Sequence, residues 1–411
     1  MTTSPRRSIP LCEYLPERLA PDALSHMQGT TLWRSYGTQV RVEFPSPQTD
    51  EQWQLTSQGW VGQIPLDDGV VLTLEPKVDV GNLFRMLEYA YQLRSFRFLD
   101  GLIGAASLAD VYDRLAAILA RRVLARARKG FYRAYLSRSD ELPYVRGRID
   151  VPALVRRPDA VDLLCHYHEC TADVEENRIL AWTLFVVART GLCRDGTLTH
   201  VRRAFHALQG LVTLQPYAAS ACVGRTYHRL NDDYRSLHAL CRFFLDQVGP
   251  SHRAGDRPMV PFIVDMALLY ERFVAAWLKA HLPTGLELSV QENHMIDAGR
   301  LLRFTIDLVL RDAATGRSLC VLDTKYKDNA TPASDDIAQV VAYAEAKGCR
   351  DALLIYPIEA SPLNVRIGAI RVRAASFSLG GDLDDAGDRF LRSVLAPDAE
   401  ADGNRSVPWI G

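Results

Sequence analysis

The stretch that most constrains this chain is LLRFTIDLVLRDAATGRSLCVLDTKYK, residues 301–327. Residues 301–310 are mostly apolar and β-prone, DAATGRS supplies turn chemistry, and 319–325 is apolar again. The segment therefore reads as two strands joined by a turn. Side chains alternate faces along a strand, which puts Asp323 and Lys325 on one face and Leu322 and Thr324 on the other. Asp307, on the neighbouring strand, can meet them across the ladder. Two carboxylates and one ammonium on a shared face suit a hard divalent cation and a water to be activated. Mg²⁺ takes oxygen ligands and keeps waters besides one or two carboxylates. The lysine can orient the attacking water, help deprotonate it, or stabilise charge on a phosphate.

Composition sharpens that reading. Of 48 basic residues only six are lysine (77, 129, 279, 325, 327 and 347), and two of the six fall inside one heptapeptide. Arg is a rigid, permanently charged fork, whereas Lys is a compact donor whose pKa responds to its surroundings. A chain that almost always uses Arg has placed Lys325 where chemistry needs it.

Two flanking segments fit the same chemistry. Downstream, ASDDIAQVVAYAEAKG (333–348) reads as a helix, with Ser334 as N-cap, Asp335 and Asp336 in its first turn and Gly348 as its end. Gln339 and Tyr343, at i and i+4, share one face of it. Upstream, FIVDMALLYERFVAAWLKAHL (262–282) reads as an apolar helix with Glu271 set among Leu268, Leu269, Phe273 and Val274. Glu271 is either a surface charge or a group that reaches a metal-bound water or a basic neighbour.

The order helix-Glu, strand-Asp, strand-DxK, helix-QxxxY resembles the PD-(D/E)xK nuclease superfamily, particularly its RecB-like branch. The resemblance implies Mg²⁺ coordination by Asp307 and Asp323, with Mn²⁺ able to substitute, and water activation by Lys325. It gives Glu271 a catalytic place, and Gln339, Tyr343 and Lys327 supporting or DNA-binding ones. No proline precedes Asp307, where Thr305 and Ile306 stand; many members of the superfamily lack it too.

At 411 residues the chain exceeds the usual size of one core, and an α+β multidomain protein is expected. Residues 1–80 read as a β-rich domain, a small barrel or curved sheet built from TTLWRSYGTQVRVEF, GWVGQIPL and GVVLTLEPKVDV. Residues 81–248 read as a mainly helical middle domain with a strand arm near 131–157. GPSHRAGDRP (249–258) reads as a linker, 255–380 as the nuclease domain, and 381–411 as a polar tail.

A net charge of −1 excludes a global basic field of the kind that binds nucleic acid indiscriminately, so any DNA contact must be local or supplied by a partner. The eight cysteines are scattered without a C-x-x-C pair, and no secretory leader is read, which points to the cytoplasm. The longest apolar run, ILAWTLFVVA (179–188), is too short to span a bilayer, so no membrane association is expected. LLCHYHEC (163–170) puts His166, His168 and Cys170 on one strand face, but no fourth ligand follows at zinc-site spacing, and a half-buried strand explains the alternation. The basic run Arg121, Arg122, Arg126, Arg128, Lys129, Arg133 and Arg138 reads as a solvated helix face, with contact to a phosphate backbone or an acidic partner as the other reading.

The remaining half has a signature of its own: LEPKVDVGNLFRMLEYAY (74–91), VRGRIDV (145–151) and VEENRILAWTL (174–184), then DMALLYERFV and LDTKYK in order. Together these resemble the McrC family, the nuclease subunit of modification-dependent McrBC restriction systems, over roughly residues 70–360. The resemblance implies a restriction endonuclease subunit for phage defence, acting on modified double-stranded DNA with a hexameric McrB-like AAA+ GTPase whose hydrolysis it stimulates. Family members insert an arm of the N-terminal half into the partner ring; residues 30–75 and 131–150 are both candidates. No G-x-x-x-x-G-K-[ST] motif occurs, so this chain is expected to bind no nucleotide itself. Two other readings stay open, a non-cleaving regulatory subunit and a stand-alone RecB-like repair nuclease. The intact acid and lysine set counts against the first, and the long non-nuclease half against the second.

Overall fold

The computed structural model describes residues 7–396 apart from 68, 92, 94–106, 250, 251, 255, 256, 296–302 and 328. By contacts the chain divides into two compact units, Met1–Leu108 together with Gly249–Gly411, and Ala109–Val248. A mixed α+β architecture with several sheets results.

The first unit opens with β1 (Arg7–Cys12), β2 (Pro16–Leu19), α1 (His26–Tyr36), β3 (Val40–Glu43), β4 (Trp53–Ser57), β5 (Trp60–Pro65), β6 (Val70–Glu75) and α2 (Val80–Ala90). Strand β1 runs parallel to β6, β6 antiparallel to β5, and β2-β4-β3 form a second sheet. Ile9, Leu11, Leu32, Tyr36, Trp53, Leu55, Leu72 and Leu74 close the core between them. Helix α1 lies where alternation predicts a strand. Ser25 and Gln28 form a capping box, and Thr30 and Thr31 return their hydroxyls to the His26 and Met27 carbonyls. The local cap overrides the β-propensity of Thr, Trp and Tyr.

The second unit contains α3 (Leu108–Lys129), β7 (Ala134–Leu142), β8 (Arg148–Ile149), α4 (Val151–Arg156), β9 (Leu163–Thr171), α5 (Glu175–Val187), α6 (Asp195–Leu208) and α7 (Tyr234–Asp246). Its helical core includes Tyr112 set edge-on to Phe244 at 5.0 Å. Strands β7 and β9 pair antiparallel over nine residues, with β8 on the other side of β9, and make the arm. Asn177, from the VEENR segment, is fully buried at the arm's base. It donates to the Tyr132 and Ala172 carbonyls and accepts from the Tyr234 hydroxyl, so that motif is structural. In the LLCHYHEC strand, His166 bonds Asp150 and Ser139, and His168 bonds Ser137. Within the basic run, Arg122 binds Ser236, Arg126 faces Asp233 and Arg138 pairs with Glu169.

The chain then returns through β10 (His252–Ala254), β11 (Arg257–Met259), β12 (Phe262–Asp265), α8 (Met266–His281), β13 (Leu286–Met295), β14 (Arg303–Asp312), β15 (Ser318–Thr324), α9 (Ser334–Lys347), β16 (Asp351–Tyr356), β17 (Asn364–Ile367), β18 (Ile370–Ser376) and α10 (Leu383–Val394). The six-stranded sheet runs β13-β14-β15-β16-β18-β17; β13 to β15 are antiparallel, β15, β16 and β18 parallel, and β17 an antiparallel edge.

Three sequence expectations change here. The segment expected as a linker contains the hairpin β10–β11. The first four residues of the expected 262–282 helix form β12, which joins the N-terminal sheet beside β5; three successive buried apolar residues suit a strand, and Asp265 then caps α8 by accepting from the Leu268 N–H. The expected polar tail contains α10, whose Leu383, Ala386, Phe390 and Val394 repeat at helical spacing and are buried, behind an Asp382 cap. Residues 397–411 lie outside the described residues.

Candidate active site

The site forms where β14 and β15 part. Their ladder pairs Leu308 with Leu322, and the next step brings Asp307 opposite Asp323. The Asp307 Oδ2 takes the Thr324 backbone N–H at 3.2 Å and the Thr324 hydroxyl at 3.4 Å. Asp323 is only 2 % exposed, and its Oδ2 lies 2.7 Å from Lys325 Nζ but receives no aligned hydrogen bond. Strand alternation thus puts Asp323 and Lys325 together, as the sequence predicts.

Helix α9 completes the lysine's surroundings. Lys325 Nζ donates to Gln339 Oε1 at 2.8 Å, and Gln339 Nε2 donates to the Tyr343 hydroxyl at 2.7 Å. The glutamine and tyrosine therefore act on the lysine in sequence. The helix begins at Ser334 with Ala333 in the cap position, one residue earlier than expected, and ends at Gly348 in the left-handed region. Lys327 pairs with Asp336 at 2.6 Å, and Asp336 stands 3.7 Å from Lys325. On α8, Glu271 accepts from Gln291 Nε2 at 3.1 Å.

Asp336 and Gln291 were missed by sequence reasoning. Asp336 was readable: with Gln339 and Tyr343 it makes a three-then-four spacing, which extends the same helix face back by one turn. Gln291 was not. Its backbone adopts φ +49°, a strained conformation for a side-chain-bearing residue, at the step between the Val290–Leu308 and Glu292–Ile306 pairs.

Four acids stand against two lysines, and the titration of the groups reflects it. Burial, then the charge of Asp307, pushes the Glu271 carboxyl up to about 7. Burial and Asp307 push Asp323 up to about 6 against the pull of Lys325. Burial also raises Asp307. Burial works against the Lys325 ammonium, but Asp323, Asp336 and Asp307 outweigh it and raise its pKa. The lysine is a proton donor here, which favours orienting water or stabilising phosphate charge over deprotonation.

The donor set fits a hard divalent cation. Asp323 Oδ2 has the Lys325 ammonium beside it, and the fully buried Tyr356 hydroxyl, which β16 places next to Lys325, has no hydrogen-bond partner. A buried hydroxyl without a partner beside two carboxylates suits a water carried by such a cation. Among the described residues no three His, Cys, Asp or Glu side chains stand in metal-ligand geometry. Asp307 and Asp323 with waters therefore suit Mg²⁺ better than a closed zinc-type site.

Comparison with known proteins agrees with the mixed α+β fold. A family model described as McrBC 5-methylcytosine restriction system component matches residues 55–357, well over half of the chain. The chain is 21 % identical over 266 residues to the Type IV methyl-directed restriction enzyme EcoKMcrBC of Escherichia coli (strain K12), covering 61 % of this chain and 74 % of that protein. Its fold is similar, with a TM-score of 0.56 and 19 % identity, to a chain in the half-complex from the tetradecameric assembly of Thermococcus gammatolerans McrB AAA+ hexamers with bound McrC. That similarity covers 94 % of this chain and 99 % of the other. The chain belongs to the McrBC 5-methylcytosine restriction system component family.

Proposed function

We propose that this chain is the Mg²⁺-dependent endonuclease subunit of an McrBC-type restriction complex, with a PD-(D/E)xK nuclease core over the six-stranded sheet. The observation that carries the reading is the convergence of Asp307, Asp323 and Lys325 at one strand end, with Gln339 and Tyr343 holding the lysine from α9. Asp307 and Asp323 would hold the cation, which supplies Lewis-acid stabilisation and an acidified water when bound. Lys325 orients the attacking water or the scissile phosphate through its ammonium. Glu271, with a carboxyl near 7, is suited to take a proton at neutral pH. Lys327 is held by Asp336 and remains partly exposed, so it can meet the DNA backbone.

The partner is an McrB-like AAA+ GTPase, in line with the McrB hexamers of the structural neighbour, and the substrate modified double-stranded DNA. We assign docking to the arm rather than to residues 30–75. Tyr135, Tyr144, Val145, Val151, Val155 and Val161 are all exposed between positions 134 and 161, and such an apolar cluster marks an interaction surface. Eight free cysteines are consistent with work in the cytoplasm, and among the described residues no helix is long and apolar enough to cross a membrane.

The test is cleavage of methylated and unmodified duplex by the purified chain alone, with an McrB-like GTPase, and with that GTPase plus GTP and Mg²⁺. Cleavage that appears only in the last mixture and stops on Asp323→Ala supports the reading. No cutting in any mixture, with GTP hydrolysis still stimulated, would mean a regulatory subunit.

A further inference from the structure

The segment LEPK (74–77) has no place in the chemistry above, yet it carries Lys77, one of the chain's six lysines, to the same spot. Strand β15 ends at Thr324, and its ladder with β14 stops at Leu308–Leu322. Beyond that point the Lys325 backbone keeps one sheet bond, from its N–H to the Ile355 carbonyl at 2.8 Å. Lys325 and Lys327 face Asp336, and Tyr326 between them turns the other way. Tyr326 is 6 % exposed; its ring lies 6.0 Å from that of Tyr270 on α8, and residues of the N-terminal region meet its polar atoms.

Its hydroxyl donates to Glu13 Oε2 at 3.1 Å, and Glu13 is itself 2 % exposed. Its carbonyl accepts from the Tyr14 hydroxyl at 3.4 Å. Lys77 Nζ lies 4.7 Å from the Tyr14 ring centre and 4.9 Å from that of Tyr326, while the Lys77 N–H reaches Glu13 Oε2 at 3.3 Å. Tyr14 sits at φ +61°, a strained backbone for a tyrosine. Gly59 opposite it is at φ +77°, and a Cβ there would stand 2.3 Å from the Tyr14 hydroxyl. Strain and an obligatory glycine both serve to bring that hydroxyl to Tyr326.

We propose that Glu13 is a positioning residue for cleavage: by receiving the Tyr326 hydroxyl under the Lys77–Tyr14 cover, it fixes where Lys325 presents its ammonium. The inference rests on the nuclease reading of the site. It gives the LEPK segment a role and makes the N-terminal sheet part of the catalytic apparatus, although none of its side chains touches the reacting atoms.

The test uses the full chain with its GTPase partner, GTP and Mg²⁺, and reads the single-turnover cleavage rate against DNA concentration. Tyr326→Phe removes only the hydroxyl, and Glu13→Ala removes its acceptor together with that of the Lys77 N–H. Both should lower the maximal rate roughly 10- to 100-fold, the scale of a misplaced catalytic group, with the half-saturating DNA concentration changed less than about twofold. Glu13→Gln keeps an acceptor oxygen and should recover most of the rate. With only six lysines, ¹³C-methylation of the lysines gives one NMR signal each; the Lys325 signal, identified through Lys325→Arg, should move in Tyr326→Phe and Glu13→Ala but not in Glu13→Gln. Wild-type rates in both Tyr326→Phe and Glu13→Ala overturn the proposal, as does a loss in Glu13→Gln as deep as in Glu13→Ala. Should Glu13→Ala not fold, Tyr326→Phe decides alone: an unchanged rate overturns the proposal. Asp323→Ala is run beside them, because cutting by that variant would sink the nuclease reading itself, whereas its inactivity beside a fully active Tyr326→Phe sinks only the positioning role.

Discussion

Glu271 should make the folded protein less stable as the medium turns from acid to alkaline. Burial, and then the charge of Asp307, moves its carboxyl from 4.5 to about 7, against the Gln291 N–H that favours ionisation. The folded state therefore holds this proton more tightly than the unfolded chain. The stabilisation is complete below 4.5 and is lost as the pH climbs through about 7. One pKa unit is about 1.4 kcal/mol, which makes the effect at most about 3 kcal/mol, and about 2 kcal/mol once the exposed part of the group is discounted. Glu271→Gln retains an oxygen for Gln291 and removes the charge. The variant should then melt on the order of 5 °C above the wild type at about pH 8.5 and match it near pH 4.5. Thermal unfolding followed by tryptophan fluorescence, without divalent cation, gives both curves. Mg²⁺ should narrow the gap at the alkaline end, because a cation beside Asp307 relieves the repulsion that Glu271 feels. A gap that stays constant with pH, or a wild type that gains on the variant as pH rises, would refute the electrostatic account.

The other expectations concern catalysis and organisation. Asp307→Ala, Asp323→Ala and Lys325→Ala should each abolish cleavage while circular dichroism and complex assembly stay unchanged, and Lys325→Arg should fail as well, because a planar fork cannot take the ammonium's place between Asp323 and Gln339. Activity should follow Mg²⁺ or Mn²⁺, with Ca²⁺ supporting little cutting and excess chelator none, and the purified protein should carry no stoichiometric zinc at His166, His168 and Cys170. Asp336→Asn frees Lys327 and removes one of the charges around Lys325, and should slow cleavage about tenfold without altering GTPase stimulation. Residues 109–248 alone should bind the GTPase and raise its turnover yet cut nothing, measured by phosphate release and by gel.

What was readable in the sequence follows the reach of each signal. Period-two alternation and the turn at 312–318 gave β14, β15 and the shared face of Asp323 and Lys325, because those relations lie within a few residues. The link from Gln339 to Lys325 was readable only as a shared helix face; that it ends on the lysine depends on packing of α9 against the sheet. Helix α1 was hidden behind β-prone residues although the Ser25–Gln28 box marked its start. Helix α10 was hidden by acidic and glycine-rich composition although its apolar spacing was regular. Gln291 and Glu13 could not be found at all. Gln291 reaches Glu271 across 20 positions, and Glu13 reaches Tyr326 across 313, and neither carries a local pattern.

The placement of β12 changes how the candidate catalytic groups are held. Glu271 rides on α8, α8 is capped by Asp265, and Asp265 ends a strand that pairs with β5 of the N-terminal sheet. Lys325 is followed by Tyr326, whose hydroxyl ends on Glu13 of the same region. Two of the candidate catalytic side chains are thus anchored outside the six-stranded sheet that carries Asp307 and Asp323. The chain leaves this unit near 108 and returns to it near 249, so the helical unit with its arm is an insertion in it rather than a spacer before it. A fragment beginning near residue 255 would keep every acid and lysine of the site but lose the strands that β12 pairs with and the carboxylate that receives Tyr326. A chain in which a short linker replaces 109–248 keeps both, and is the form in which the candidate site can be separated from the proposed docking arm without being taken apart.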